Sequence, residues 1–315
     1  MELREIRELC GKVRENINRD IVVKEEVIDH LLIAMVAAGH VLLEDVPGTG
    51  KTLLAKSAAR SVACEFKRIQ FTPDLLPSDL TGINFYEQKS GEFRFRPGAV
   101  FTNILLGDEI NRATPRTQSA LLECMEERQV TEGGVTYRLE RPFLVIATQN
   151  PVETQGTFPL PEAQLDRFLI RLSLGYPTED EAVFMMQRFM ENNPLVELEP
   201  VSDGARVSEA SALCAACRVS GEVLRYIAAI CEAARDPEKV RLGPSPRALL
   251  ALMRACQALA AIRGRDYVIP DDVKELAVPV LAHRVIPRGL SAQSSAAELI
   301  REAVGKTPAP TEERP

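Results

Sequence analysis

The run Glu44-Asp45-Val46-Pro47-Gly48-Thr49-Gly50-Lys51-Thr52 constrains this chain more than any other stretch. It follows a short apolar segment, Val41-Leu42-Leu43, and opens a helix-compatible run, Leu53-Leu54-Ala55-Lys56-Ser57-Ala58-Ala59. A strand, a Gly-rich turn, Lys-Thr and a helix, in that order, make a P-loop. Its backbone N–H groups curl around phosphate oxygens, and the helix N-terminus adds partial positive charge. The pattern assigns Lys51 to the β- and γ-phosphates and the Thr52 hydroxyl to Mg²⁺. The strict pattern has glycine where Asp45 stands, but Pro47-Gly48 and Gly50-Lys51-Thr52 keep the tight turn. The plain alternative is a Gly-Pro turn before a helix, so partner motifs must decide.

Ile104-Leu105-Leu106-Gly107-Asp108-Glu109 reads as a buried strand ending in two carboxylates. Asp108 is placed to hold Mg²⁺ beside Thr52, and Glu109 to polarise the attacking water as general base. Alone, such a pair is a solvated turn; downstream of the P-loop it specifies a nucleoside-triphosphate hydrolase. Phe143–Thr148 is another buried-type strand, and Asn150 falls at its end, where an amide can orient water against the γ-phosphate. Leu160–Phe168 predicts a short helix that presents Arg167, with an ion pair to Asp166 or Glu162 as the simpler reading. Gly243-Pro244-Ser245-Pro246-Arg247 starts a later helix, with Ser245 as its N-cap and Arg247 in its first turn.

The chain's 315 residues suffice for two domains, and 45% hydrophobic composition can fill their cores. No apolar run approaches the roughly 20 residues needed to cross a bilayer, and the charged Met1-Glu2-Leu3-Arg4-Glu5 does not read as a secretory signal. Seven cysteines without framework spacing point to reduced thiols and a cytoplasmic location. Cys214-Ala-Ala-Cys217 reads as helix packing rather than zinc binding. A net charge of −7 gives no bulk attraction to nucleic acid.

Residues 1–19 and 25–38 read as amphipathic helices, joined by Ile21-Val22-Val23. From Val41 to about Leu174 strands at 41–43, 67–71, 103–108, 143–148 and 168–172 alternate with helices, the signature of a five-stranded parallel sheet covered on both faces. After Tyr176-Pro177-Thr178 only helices are expected, with Thr178 as an N-cap. The expected organisation is an α/β core over 1–176, an all-α lid over 177–304, and a disordered tail over 305–315. Two hairpins interrupt the core near 83–96 and 129–141, the second turning at Gly133-Gly134. Arg94, Arg96 and nearby aromatics on the first allow a nucleic-acid surface, but a hairpin edge kept soluble by charge is the simpler account.

The chain resembles the AAA+ ATPases, and within them the MoxR family, over nearly its whole length. The resemblance rests on Gly39–Glu44 leading into the P-loop, Gln70–Asp79, Phe95-Arg96-Pro97-Gly98, Asp108–Ala113, Ala147–Pro151, Leu165–Phe168 and Ser245-Pro246-Arg247. It implies that Ile21, Val22, Pro47, Gly48, Thr49, Gly50, Lys51, Thr52 and Leu53 cradle ATP, and that Thr52 and Asp108 serve Mg²⁺. It makes Asn150 sensor 1, Arg167 an arginine finger acting on a neighbouring subunit, and Arg247 the sensor 2 residue of the lid. Val23-Lys24 stands where relatives carry Gly-Gln, and Gly107 where they carry Ala. A homo-oligomeric ring, usually of six, is implied, with a client protein and a von Willebrand factor A domain partner. The hairpins are then expected to face the pore or a partner. A nucleic-acid motor or transcription regulator on this fold would want a basic pore or an added DNA-binding domain. A nucleotide-switched module would need neither Glu109 nor Arg167.

Overall fold

The computed structural model describes residues 1–46, 48–150, 156–191, 198–288 and 292–310. Helix α1 (Leu3–Asp20) buries Ile6, Leu9, Val13 and Ile17, which recur at helical spacing, and α2 (Glu25–Val36) follows after a short extended connector. Arg14 of α1 pairs with Asp29 of α2 at 2.6 Å. The core then runs β1 (Val41–Glu44), α3 (Lys51–Ser61), β2 (Phe66–Gln70), α4 (Pro77–Thr81), a hairpin of β3 (Ile83–Glu87) and β4 (Glu92–Arg96), and β5 (Ile104–Asp108). It continues with α5 (Pro115–Glu127), a hairpin of β6 (Gln129–Glu132) and β7 (Val135–Arg138), β8 (Leu144–Gln149), α6 (Glu162–Leu165) and β9 (Ile170–Leu172).

The five core strands form one sheet in the order β2-β5-β8-β1-β9, and every neighbouring pair is parallel. Alternation along each strand sorts the side chains onto two faces. Val41, Leu43, Ile104, Leu106, Leu144 and Ile146 pack with α1, α2 and α3. Leu42, Leu105, Val145 and Ala147 face the other way, against residues of α4 and α5 such as Leu80, Leu121 and Leu122. Asp108 has the parity of Ile104 and Leu106, so its carboxylate emerges on the side of α3, the helix that leaves the P-loop. Strand order turns back on itself around β1, and in open parallel sheets such a switch leaves a crevice at the carboxyl ends of the strands.

The second half is α7 (Glu179–Glu191), α8 (Gly204–Cys214), α9 (Gly221–Ala233), β10 (Val240–Leu242), α10 (Pro246–Ile262), α11 (Pro270–Leu281), β11 (Ile286–Pro287) and α12 (Ala292–Lys306). Its helices start where the caps put them. The side chains of Asp203, Ser220 and Ser245 accept from Arg206 N, Val223 N and Ala248 N. Thr178 N donates to Glu181 Oε2 at 2.8 Å, and Glu181 N donates to Thr178 Oγ1 at 3.3 Å. Cores of sheet and lid are continuous, because one buried cluster joins Ile6, Val13, Leu31 and Ile170 to Ala255, Leu259, Leu276 and Val280.

Two expectations need correction. The region after Tyr176 is not helical throughout, since β10 pairs antiparallel with β11. Nor does disorder begin at Gly305: α12 runs to Lys306, Thr307 Oγ1 donates to Ala303 O at 2.8 Å, and Ala309 packs against the core. Residues 311–315 lie outside the described residues. The helix continues because Ile300 and Ala303 have apolar partners there, which composition alone does not reveal.

Candidate active site

A cleft of ≈ 500 Å³ opens at the carboxyl ends of the strands, within the range that holds a small ligand. Gly48, Thr49, Gly50, Lys51, Thr52 and Leu53 line it, together with Asp108, Glu109 and Asn150. Pro47 lies outside the described residues. Gly50 is the N-cap of α3 and has φ +93°, a left-handed conformation that favours glycine. Ile21 and Val22 form the apolar wall with Val23, Leu174, Pro177 and Met185. The cleft therefore has an apolar end for a base and a charged end for phosphates.

Lys51 Nζ donates to the carbonyls of Asp45 at 2.8 Å and Val46 at 3.2 Å, which hold the ammonium across the loop. Burial pulls its pKa below the ordinary lysine value, while Asp45, Asp108 and Glu109 pull it back up. Thr148 Oγ1 donates to Asp108 Oδ1 at 3.0 Å and accepts from Glu109 N at 2.9 Å. Both carboxylates also have partners from β2. Arg68 Nε and Nη2 each stand 2.7 Å from Asp108 Oδ2, and Gln70 Nε2 donates to Glu109 Oε2 at 2.8 Å. Arg112 Nε adds a contact of 2.8 Å to Glu109 Oε2. Glu109 has φ +55°, outside the favoured regions for a glutamate, and this turns its carboxylate off the line of β5. Thr52 and Asp108 offer hydroxyl and carboxylate oxygens, the donor chemistry that suits a hard divalent cation.

Asp45 is buried, and its carboxylate accepts from Ser173 Oγ at 3.0 Å, from Gly175 N at 3.3 Å and from Leu174 N. The residue that departs from the strict P-loop thus ties the loop to the segment leading from β9 into the lid. Gly107 has a local reason too: a Cβ there would stand 3.0 Å from the fully buried Phe71 ring, so an alanine would require that ring to give way.

Neither Arg167 nor Arg247 is among the residues lining the cleft of its own chain. The acids expected to pair with Arg167 have other partners, Asp166 with Arg284 at 2.7 Å and Glu162 with Arg241 at 2.8 Å. Arg167 Nε is buried without a hydrogen-bond partner. Arg247, outside the lining of that cleft, pairs through Nη2 with Glu126 Oε1 of α5 at 3.1 Å. Ser245 Oγ donates to Asp166 Oδ2 at 2.7 Å, which docks the first turn of α10 beside α6.

The ATPase family associated with various cellular activities (AAA) matches residues 40–170, and the AAA lid domain matches residues 232–303. Chaperone MoxR1 of Mycobacterium tuberculosis is 43% identical over 280 residues, 86% of this chain and 74% of its own length. Protein MoxR of Methylorubrum extorquens is 32% identical over 331 residues, 96% of each chain. A crystal structure from Cytophaga hutchinsonii, ascribed to an ATPase, superposes with a TM-score of 0.90 at 38% identity, covering 98% of this chain and 97% of that one. The chain belongs to the MoxR family of AAA+ ATPases. The sheet order, the P-loop cleft and the helical lid of this MoxR-family ATPase are those of an ATP-hydrolysing machine.

The two hairpins of this MoxR-family chain pack on each other. Phe95 of β4 and Tyr137 of β7 stack with ring centroids 4.0 Å apart, and a Cβ on Gly133 would meet Asn84 Nδ2 at 2.4 Å. Tyr86 and Phe93 lie 5.4 Å apart on the exposed edge, and Phe93 is 75% exposed. Arg94 is paired with Glu87 at 3.0 Å, which offsets the charge a nucleic acid would need. The sequence reading gave Arg68 no role and placed Gln70 only at the head of the Gln70–Asp79 motif. They stand two apart on β2, whose neighbour in the sheet is the strand carrying Asp108, and polar residues at that spacing were the available signal.

Proposed function

We propose that this ATPase works as a ring of identical subunits, usually six, that hydrolyses Mg²⁺-bound ATP at sites shared between neighbours and uses the turnover to remodel client proteins. The observation that carries this reading is the separation of its cations: Lys51 lines the cleft, whereas Arg167 and Arg247 lie outside its lining. A second subunit's edge placed against the cleft would complete the site.

Within that site Lys51 binds the terminal phosphates, Asn150 orients water, and Glu109 takes its proton. Mg²⁺, held by Thr52 and Asp108, would neutralise charge on the phosphate oxygens. Gln70 and Arg112 hold Glu109 by hydrogen bonds. Arg167 of the neighbour stabilises the charge that gathers on the γ-phosphate, a contribution of about 10³–10⁵ in rate in other systems. Tyr86 and Phe93 supply an apolar edge suited to a protein client, and the resemblance to the MoxR family implies a von Willebrand factor A domain partner, as for metal-cofactor insertion. Seven free cysteines and no helix, among the described residues, long and apolar enough to cross a membrane fit a cytoplasmic setting.

Subunit mixing tests the shared site. Arg167→Ala should keep ATP binding and lose turnover, and so should Glu109→Gln. Mixed together they should regain turnover, because some interfaces then pair an intact Glu109 with an intact Arg167. No recovery at any mixing ratio would contradict the shared site.

A further inference from the structure

Arg284 ends the 3₁₀ turn Ala282–Arg284 that follows α11, and it is 5% exposed. Its guanidinium has no place in the cleft of its own chain, yet each of its three nitrogens is engaged. Nε donates to Asp166 Oδ1 at 2.7 Å, and Nη2 donates to Phe168 O at 2.6 Å and Asp166 O at 3.2 Å. Nη1 donates to Val280 O, anchoring the group to α11. His283 Nε2 lies 3.0 Å from the same Phe168 carbonyl, and Ser245 Oγ grips the other oxygen of Asp166. The residues immediately before and after Arg167 are therefore both clamped, and every clamping group belongs to the lid.

Stability alone does not call for this arrangement. Taking a guanidinium out of water is costly, and well-packed apolar groups often serve a core as well or better. Burial lowers the Arg284 pKa to about 10, so it stays charged at neutral pH and its hydrogen bonds remain charge-assisted. What Arg284 adds is directional: a rigid fork fixes two carbonyls and a carboxylate around one residue. That residue is Arg167, whose own Nε lacks a partner.

We propose that Arg284 is a positioning residue for the arginine finger, so that the lid of one subunit sets the aim of Arg167 at its neighbour's nucleotide. The inference rests on the reading of Arg167 as a finger acting between subunits. The same lid reaches its own cleft through Glu181 and Met185 of α7. The lid thus lines its own nucleotide cleft through α7 and holds the finger for the next site through Arg284.

The test uses the full chain with Arg284→Met, Arg284→Lys and Asp166→Asn. Arg284→Met should bind ATP within about twofold of wild type, yet lose turnover by about 100-fold, the scale expected when a reacting group is displaced by about an ångström. Mixed with Glu109→Gln it should regain turnover, since Glu109→Gln subunits lend well-held fingers to intact clefts. Arg284→Lys should recover part of the activity. If Arg284→Met fails to fold, Asp166→Asn carries the test and should give the same pattern of loss and recovery. Unchanged turnover in these variants would overturn the proposal. So would a loss that mixing does not repair while the Arg167→Ala mixture recovers, which would place the fault in the variant's own cleft. If the Arg167→Ala mixture also stays inactive, the finger reading falls and takes this inference with it.

Discussion

Asp45 holds three donors with one carboxylate, and they belong to Ser173, Leu174 and Gly175, far along the chain. Asp45→Gly, which restores the strict P-loop pattern, should leave those donors unpaired and destabilise the protein by about 3 kcal/mol. Chemical unfolding of the two proteins measures this; a variant as stable as wild type would mean that water replaces the carboxylate without loss. The loop itself was legible in the sequence because each of its roles is local. Lys51, Thr52, Asp108, Glu109 and Asn150 each stand at a strand end or helix start, where backbone geometry alone brings them together. Asp45 read as tolerated variation because its partners are set by tertiary packing. Arg284 was illegible for the same reason, since nothing near it in sequence reveals the clamp on Asp166 and Phe168.

At the scale of elements, β1 depends on a residue just ahead of it. His40 is buried; Val145 N of β8 donates to its Nδ1 at 3.0 Å, so Nε2 carries the proton and donates to Met125 O of α5 at 3.0 Å. Burial holds its pKa down at about 4, against about 6.5 for an exposed histidine. Between those values the unfolded chain binds a proton that the folded chain refuses, so stability is complete above pH 6.5 and falls as pH drops toward 4. At pH 5 this amounts to about 2 kcal/mol. His30 and His283 are shifted in the same direction. His40→Gln, whose amide can also donate and accept, should lose less stability than wild type between pH 7 and pH 5 in urea unfolding. An identical loss would remove His40 from the account. Strand positions were readable from runs such as Val41-Leu42-Leu43 and Leu144-Val145-Ile146, and so were both hairpins. That the hairpins stack through Phe95 and Tyr137 was not, because each aromatic alternates correctly within its own hairpin and gives no sign of the other.

For the whole molecule, the sheet order and the position of the cleft follow from a βα pattern that admits few topologies, which is why the α/β core was readable from end to end. The seating of the lid was less so. It depends on Ser245, Arg284 and Arg241 meeting Asp166 and Glu162 of the core, and on Arg247 meeting Glu126. The proposed picture is a cleft that binds the nucleotide and an edge that would complete a neighbour's cleft. Its chemistry hinges on Glu109, and the most direct measurement compares ATP binding and ATP turnover in wild type and Glu109→Gln. The general-base role of Glu109 requires unchanged binding and turnover lowered by about 10²–10⁴, the usual contribution of such a group. Turnover at the wild-type rate in Glu109→Gln would contradict it.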